Sequence, residues 1–95
     1  MTNHAKATIS AHEVRIVDAF ERDAHAWLSS ADVAQAASVA ARTARMHLRR
    51  FTVAGLLEVR RVFPGYRYRL RSDASTFSYY MRIVQAREAL SGRAA

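Results

Sequence analysis

Cysteine is absent from the chain's 95 residues. That excludes disulfides and thiolate metal ligation, and it fits a reducing cytoplasm. Lysine is almost absent too, since Lys6 is the one lysine among 15 basic residues. Proline occurs once and glycine three times, which excludes a Pro/Gly-rich linker. No run approaches the roughly 20 apolar residues of a membrane span. Met1–Lys6 has neither an apolar core nor a cleavage pattern, so no signal peptide is expected. A glycine-rich phosphate loop, a nucleophile–base pair and carboxylates at catalytic spacing are all missing, so no enzyme is expected. His4, His12, His25 and His47 are scattered, so neither a metal site nor another cofactor is expected, and no small-molecule ligand is evident.

What is present is arginine, concentrated in one place. The net charge is +7. Between Arg42 and Arg71 lie nine arginines (42, 45, 49, 50, 60, 61, 67, 69 and 71) and one acid, Glu58. That 30-residue window carries +8 and the remainder −1. Codon bias explains arginine over lysine but not the clustering. A planar guanidinium fork suits phosphates and guanine edges, so the segment points to nucleic acid.

Local signals give the element order. Residues 1–9 read as a flexible leader. Ser10-Ala11-His12-Glu13 is a capping box, flanked by Ile9 and Val14 as a hydrophobic staple, and predicts a helix over about 10–25. Val14, Val17 and Phe20 form its stripe, with Ile16 and Ala24 alongside. Trp27-Leu28 reads as a short extended connection, with Trp27 as a plug between the first helix and the sheet. Ser29-Ser30-Ala31-Asp32 opens a second helix over about 30–37. A third, about 41–54, turns Ala44, Leu48 and Phe51 inward and ends before Gly55.

Two extended segments follow, 56–63 and 66–71. Tyr66, Tyr68 and Leu70 share one face and Arg67, Arg69 and Arg71 the other. Phe63-Pro64-Gly65-Tyr66 suits a type II turn. Asp73 then caps a last helix over about 74–91 that stops at Gly92. Its apolar residues fall into two stripes, Phe77/Tyr80/Met81/Val84 and Tyr79/Ile83/Ala86/Leu90. One stripe docks a helix on its own core, so the second predicts another chain. No internal repeat is present.

The segment Thr43-Ala44-Arg45-Met46-His47-Leu48-Arg49-Arg50-Phe51-Thr52-Val53-Ala54-Gly55-Leu56-Leu57 follows the pattern T-V-x-x-H-L-x-x-L-x-x-x-G-L-L. With the helices before it and the hairpin after it, it resembles the winged helix-turn-helix of small bacterial repressors, the ArsR-like, MarR-like and IclR-like groups. The resemblance covers about residues 10–71. It departs from the pattern at Ser38, where glycine is usual, and at Ala44, where valine is usual. Both changes suggest close or slightly altered packing between the second and third helices.

The resemblance implies an α+β, mainly α fold: three helices, a hairpin wing and a C-terminal dimerisation helix. The expected organisation is a leader at 1–9, a DNA-binding domain at 10–71, a dimerisation helix at 72–92 and a tail at 93–95. A recognition helix reads the major groove mainly from its N-terminal half. That implies base contacts from Arg42, Arg45 and Met46, with Ala41 and Thr43 at the N-terminal end of the DNA-binding face, and phosphate contacts from Arg49 and Arg50. Ser29, Ser30 and Thr43 stand at helix starts, where they cap the helix or hold a phosphate. Arg60, Arg61, Arg67 and Arg69 would follow the backbone or enter the minor groove, while Tyr66, Tyr68 and His47 are expected to pack. Phe77, Tyr79, Tyr80, Ile83, Val84, Ala86 and Leu90 would meet a second copy.

The expected function is a sequence-specific regulator of transcription, a dimeric repressor on double-stranded DNA in the bacterial cytoplasm. Two other uses of the architecture stay open. One is an architectural, replication or excision accessory protein. The other is an RNA- or protein-interaction module.

Overall fold

Two capping boxes set where the first helices begin. Ser10 Oγ accepts from the Glu13 N–H at 3.2 Å, and Glu13 Oε1 accepts from the Ser10 N–H at 2.8 Å. Helix α1 then spans Ala11–Glu21. Ser29 and Asp32 repeat the exchange at 3.0 Å in both directions, and α2 spans Ser30–Ala37. The computed structural model describes residues 8–94. Most of the expected leader, residues 1–9, and Ala95 of the expected tail lie outside the described residues.

Helix α1 ends earlier than the expected 25. Phe20 is its last inward residue, and the exposed turn that follows buries nothing that would hold another helical turn. Arginines of this helix close the next one. Arg15 Nε donates to the Ala37 carbonyl at 2.9 Å, and Arg22 Nη2 donates to the Ala36 carbonyl at 3.3 Å. Both satisfy orphan carbonyls at the negative end of α2. Ser38 then takes the left-handed conformation, φ 56° and ψ 48°, in the place where glycine is usual. Helix α3 spans Ala41–Val53, and Gly55 at φ +87° turns the chain into the hairpin.

Strands β1 (Leu57–Val62) and β2 (Gly65–Leu70) pair antiparallel, from Leu57 opposite Leu70 to Val62 opposite Gly65. Leu28 adds a bridge on the outer edge of β2, exchanging two hydrogen bonds of 2.8 Å with Tyr68. The type II turn is not formed. Phe63 and Pro64 alone make the turn, the peptide between them is cis, and Gly65 already belongs to the ladder. Pro64 therefore occupies the second central position, where a type II turn needs glycine.

Asp73 does not cap the last helix. It pairs with Arg71 at 2.9 Å, and a 3-10 turn, Ala74–Thr76, intervenes before α4. Helix α4 spans Ser78–Ala94 and runs through Gly92 instead of stopping there. Glycine tolerates helical φ as well as left-handed φ, so it permits a stop without imposing one.

The core collects Ile16, Val17 and Phe20 from α1, Val33 and Ala37 from α2, and Ala44, Leu48 and Phe51 from α3. Val14, Leu56, Leu57, Ala74 and Ile83 complete it. Each large side chain buried in this way is worth about 1.5–3 kcal/mol. Both expected stripes of α4 contribute to this core. Ile83 is fully buried, and Phe77, Tyr79, Tyr80 and Ala86 pack against the cluster. A complete second stripe therefore does not remain for another chain, because α1 lies against residues drawn from both. Met81 and Leu90 stay exposed and Val84 half-buried. The result is an α+β, mainly helical fold with four helices and one two-stranded hairpin among the described residues, compatible with a winged helix.

Candidate nucleic-acid interface

Ala44, Leu48 and Phe51 are fully buried, which turns the other side of α3 to solvent. Arg42, Arg45, Met46 and Arg49 stand there at helical spacing, all exposed, with Ala41 exposed at the N-terminus and Thr43 half-buried. Arg50 is exposed on the flank. None of these four arginines forms an ion pair or a side-chain hydrogen bond among the described residues.

Arginines outside the 42–71 window behave differently. Arg15 and Arg22 hold α2, and Arg22 also pairs with Asp18 at 3.1 Å. Arg87 of α4 pairs with Glu21 of α1, which also accepts from the Tyr80 hydroxyl. Those guanidiniums hold the fold together, whereas the ones on α3 do not.

The hairpin presents two unlike faces. Glu58, Arg60, Arg67 and Arg69 share one, and Leu57, Val59, Arg61, Tyr66, Tyr68 and Leu70 the other. Trp27 is not a plug in the core. It lies half-buried beneath the basic face, with Arg60 and Arg69 each 4.3 Å from its ring centroid. Arg69 also pairs with Glu58 at 3.2 Å. A guanidinium stacks well on an indole, so Trp27 orients both side chains along the sheet. Arg67 donates to the carbonyl of Tyr66 at 3.3 Å. Arg61 sits 5.6 Å from the Tyr66 ring and forms no ion pair among the described residues.

A groove of about 500 Å³ runs between α3 and the hairpin, lined by Arg45, Arg49, Thr52, Val53, Val59, Tyr66 and Tyr68. It brings the expected recognition helix and the expected wing onto one surface. Tyr66, expected to pack inside, is 48% exposed here, whereas Tyr68 packs against the core. Val53 and Val59 also border the groove and were not singled out by sequence. The alternation on β2 that places Tyr66 and Tyr68 together was the available signal, but it does not say which face meets water.

The start of α2 is already satisfied. Ser29 Oγ accepts from Asp32, and the Asp32 carboxylate accepts from the Ser29 N–H. These hydrogen bonds, with the charge of Arg67, hold Asp32 below the usual carboxylate range. A carboxylate at this terminus opposes a phosphate at Ser29 and Ser30. The start of α3 has no side-chain cap, so its first N–H groups keep no such competitor.

A second concavity, about 560 Å³, lies among α1, α3 and α4 and is lined by residues including His12, Glu13, His47, Arg50 and Tyr79. His47 is buried and stacks on Phe51 with ring centroids 6.0 Å apart, as a packing residue should. Its Nδ1 has no hydrogen-bond partner among the described residues. Burial pushes its pKa down, Glu13 acts against that, and Arg50 and His12 add to it. Among the described residues, no group of three or more histidines or acids is placed to hold a metal ion, and no helix is long and apolar enough to cross a membrane. No family model, curated protein or solved structure matches the chain at a significant level.

Proposed function

We propose that this chain is a winged helix-turn-helix protein that binds double-stranded DNA and regulates transcription. One observation carries the reading: the arginines on the outer face of α3 have no ion-pair or hydrogen-bond partner among the described residues, while Arg15, Arg22 and Arg87 are all engaged. Unpaired guanidiniums on one helix face repel each other, and a polyanion removes that cost. Helix α3 lies in the major groove in this reading. Arg42 and Arg45 read base edges, Met46 contacts apolar base atoms, and Arg49 and Arg50 hold phosphates. The uncapped start of α3, at Ala41–Thr43, offers backbone N–H groups to a phosphate. On the wing, Arg60, Arg61 and Arg67 face the DNA backbone, with Arg69 supporting them beside Trp27.

Two copies act together through the remainder of α4, the exposed Met81 and Leu90 with the half-buried Val84. A two-fold dimer on DNA demands half-sites about one helical turn apart. Selection of bound duplexes from random sequence, followed by titration against salt, tests the reading. A pseudo-palindromic consensus is expected, with affinity falling by about 0.9 log units per log of salt for each phosphate neutralised. A flat salt response overturns the DNA reading. An array of direct repeats points to an accessory factor of the same fold. Light scattering that reports a monomer at micromolar concentration removes the proposed role of α4.

A further inference from the structure

The hairpin ends in a bare aromatic. Six ladder pairs run from Leu57 opposite Leu70 to Val62 opposite Gly65, leaving Phe63 and Pro64 alone at the tip. At about 3.4 Å per residue the arm projects roughly 17 Å from its first pair. Phe63 is 85% exposed, more than any other large apolar side chain described. It takes no part in the core cluster.

The surroundings of the tip say what kind of partner it fits. The two rungs behind Val62 and Gly65 are Arg61 opposite Tyr66 and Arg60 opposite Arg67. Three arginines therefore stand on both faces of the ribbon just behind the phenyl ring. The acid on these strands, Glu58, lies farther back and is engaged by Arg69. An apolar tip collared by positive charge is complementary to one feature of duplex DNA: a base step flanked by phosphates on both sides. Strands about 4.8 Å apart are too broad, side chains included, to enter a minor groove about 6 Å wide, but a single ring at the tip enters freely. Tyr66 and Val59 share the α3–hairpin groove with Arg45 and Arg49, so DNA seated on α3 continues past the hairpin.

We infer that Phe63 is a minor-groove wedge, inserting at a base step beside the α3 site and bending the DNA, with Arg60, Arg61 and Arg67 holding the phosphates around it. Side chains of this kind unstack a step and kink the duplex by about 20–90°. The inference rests on the DNA reading above. It adds a contact that specifies DNA deformability, not base identity, and it favours flexible pyrimidine–purine steps.

The test uses the full chain and a selected duplex carrying a donor and an acceptor dye at its ends, with 2-aminopurine at the flanking step. The wild type should shorten the end-to-end distance and raise 2-aminopurine fluorescence. Phe63→Ala should abolish both while weakening binding by less than about tenfold and leaving the salt slope unchanged, because no phosphate contact is removed. Phe63→Leu should restore the bend. The side chain is largely exposed and takes no part in the core cluster of the described residues, so these variants are expected to fold. A straight wild-type complex, or a Phe63→Ala complex bent like the wild type, overturns the wedge and leaves the DNA reading standing. Absence of any duplex binding by the wild type at low salt overturns both.

Discussion

The Tyr79 hydroxyl, on α4, donates a hydrogen bond to the Glu13 carboxylate on α1, 66 positions earlier in the chain. Glu13 is buried, and its other oxygen closes the capping box with Ser10. One carboxylate therefore starts the first helix and anchors the last. Burial alone would raise its pKa, but the bonds from Ser10 and Tyr79 and the nearby His47 bring it below the ordinary carboxylate value. A depressed folded-state pKa adds stability that is complete above the unfolded value and lost as pH falls through the folded one. Tyr79→Phe should cost about 1.5–3 kcal/mol at neutral pH, the range for hydrogen bonds to charged groups. The penalty should shrink as acid protonates Glu13. Chemical denaturation from neutral pH down into the carboxylate range checks both statements, and a negligible penalty at neutral pH would show that the ring packing on Phe51, which phenylalanine keeps, is what matters.

His47 carries the opposite kind of test. Its Nδ1 is buried without a hydrogen-bond partner among the described residues, and burial pushes its pKa down. The folded protein therefore prefers neutral imidazole. Stability is undiminished above the unfolded value near 6.5 and declines as pH falls below it, because the unfolded chain binds the proton more readily. Replacing an unsatisfied polar group by an apolar one of similar size is nearly neutral or stabilising. His47→Leu should hold or raise the melting temperature at neutral pH and flatten its decline just below pH 6.5. A large destabilisation at neutral pH would mean that the ring's contacts with Phe51 and His12 outweigh the orphaned nitrogen.

Two turn residues give a matched pair of backbone tests. Ser38 is held at φ 56° and Gly55 at φ +87°. The left-handed region costs a non-glycine residue about 1–2 kcal/mol, and glycine returns part of that as unfolded-state entropy. Ser38→Gly should therefore stabilise by up to about 1 kcal/mol. Gly55→Ala should destabilise by about 1 kcal/mol or more. The new Cβ meets only the Phe77 ring at 3.7 Å, an ordinary contact, so the loss is conformational and not steric. Thermal melts of the two variants should move in opposite directions.

Local chemistry was legible in the sequence, and long-range partnership was not. The capping box at Ser10, the helix start at Ser29, the inward stripe of α3, the alternation on β2 and the unusual serine at position 38 depend on neighbours within a few residues, and each stands where expected. The use of Trp27 depends on Arg60 and Arg69 arriving from two strands, a juxtaposition that no spacing encodes. Arg15 and Arg22 look like solvated charges until α2 presents its carbonyls to them. The two stripes of α4 are both apolar on a helical wheel, but a wheel assumes a flat partner. Helix α1 instead engages residues from both, Tyr79 through Glu13 and Tyr80 through Glu21. Pro64 followed by Gly65 favoured a type II turn by local preference, and the in-register ladder claimed Gly65 as a strand residue.

Arginine's two roles in this chain lead to the last prediction, because they respond differently to substitution. Arg49 is exposed on α3 with no ion pair among the described residues, and Arg69 is half-buried, paired with Glu58 and stacked on Trp27. Arg49→Ala should leave the melting temperature unchanged or slightly raised, since it relieves repulsion with Arg45 and Arg42. It should weaken duplex binding about equally across sequences and reduce the salt slope by about one contact. Arg45→Glu should abolish specific binding with the fold intact, through loss of a base contact worth about 1–3 kcal/mol and the added repulsion of the phosphates. Arg69→Ala should instead lower stability by a modest amount, because the pair is a third exposed and such bridges are worth about 0–1 kcal/mol. Its effect on the salt slope should be smaller than that of Arg49→Ala. Fluorescence anisotropy at several salt concentrations, beside a thermal melt of each variant, separates the two roles. If Arg69→Ala lowers the slope as much as Arg49→Ala does, the basic face of the hairpin contacts DNA directly, and Trp27 orients both of its arginines toward the phosphates.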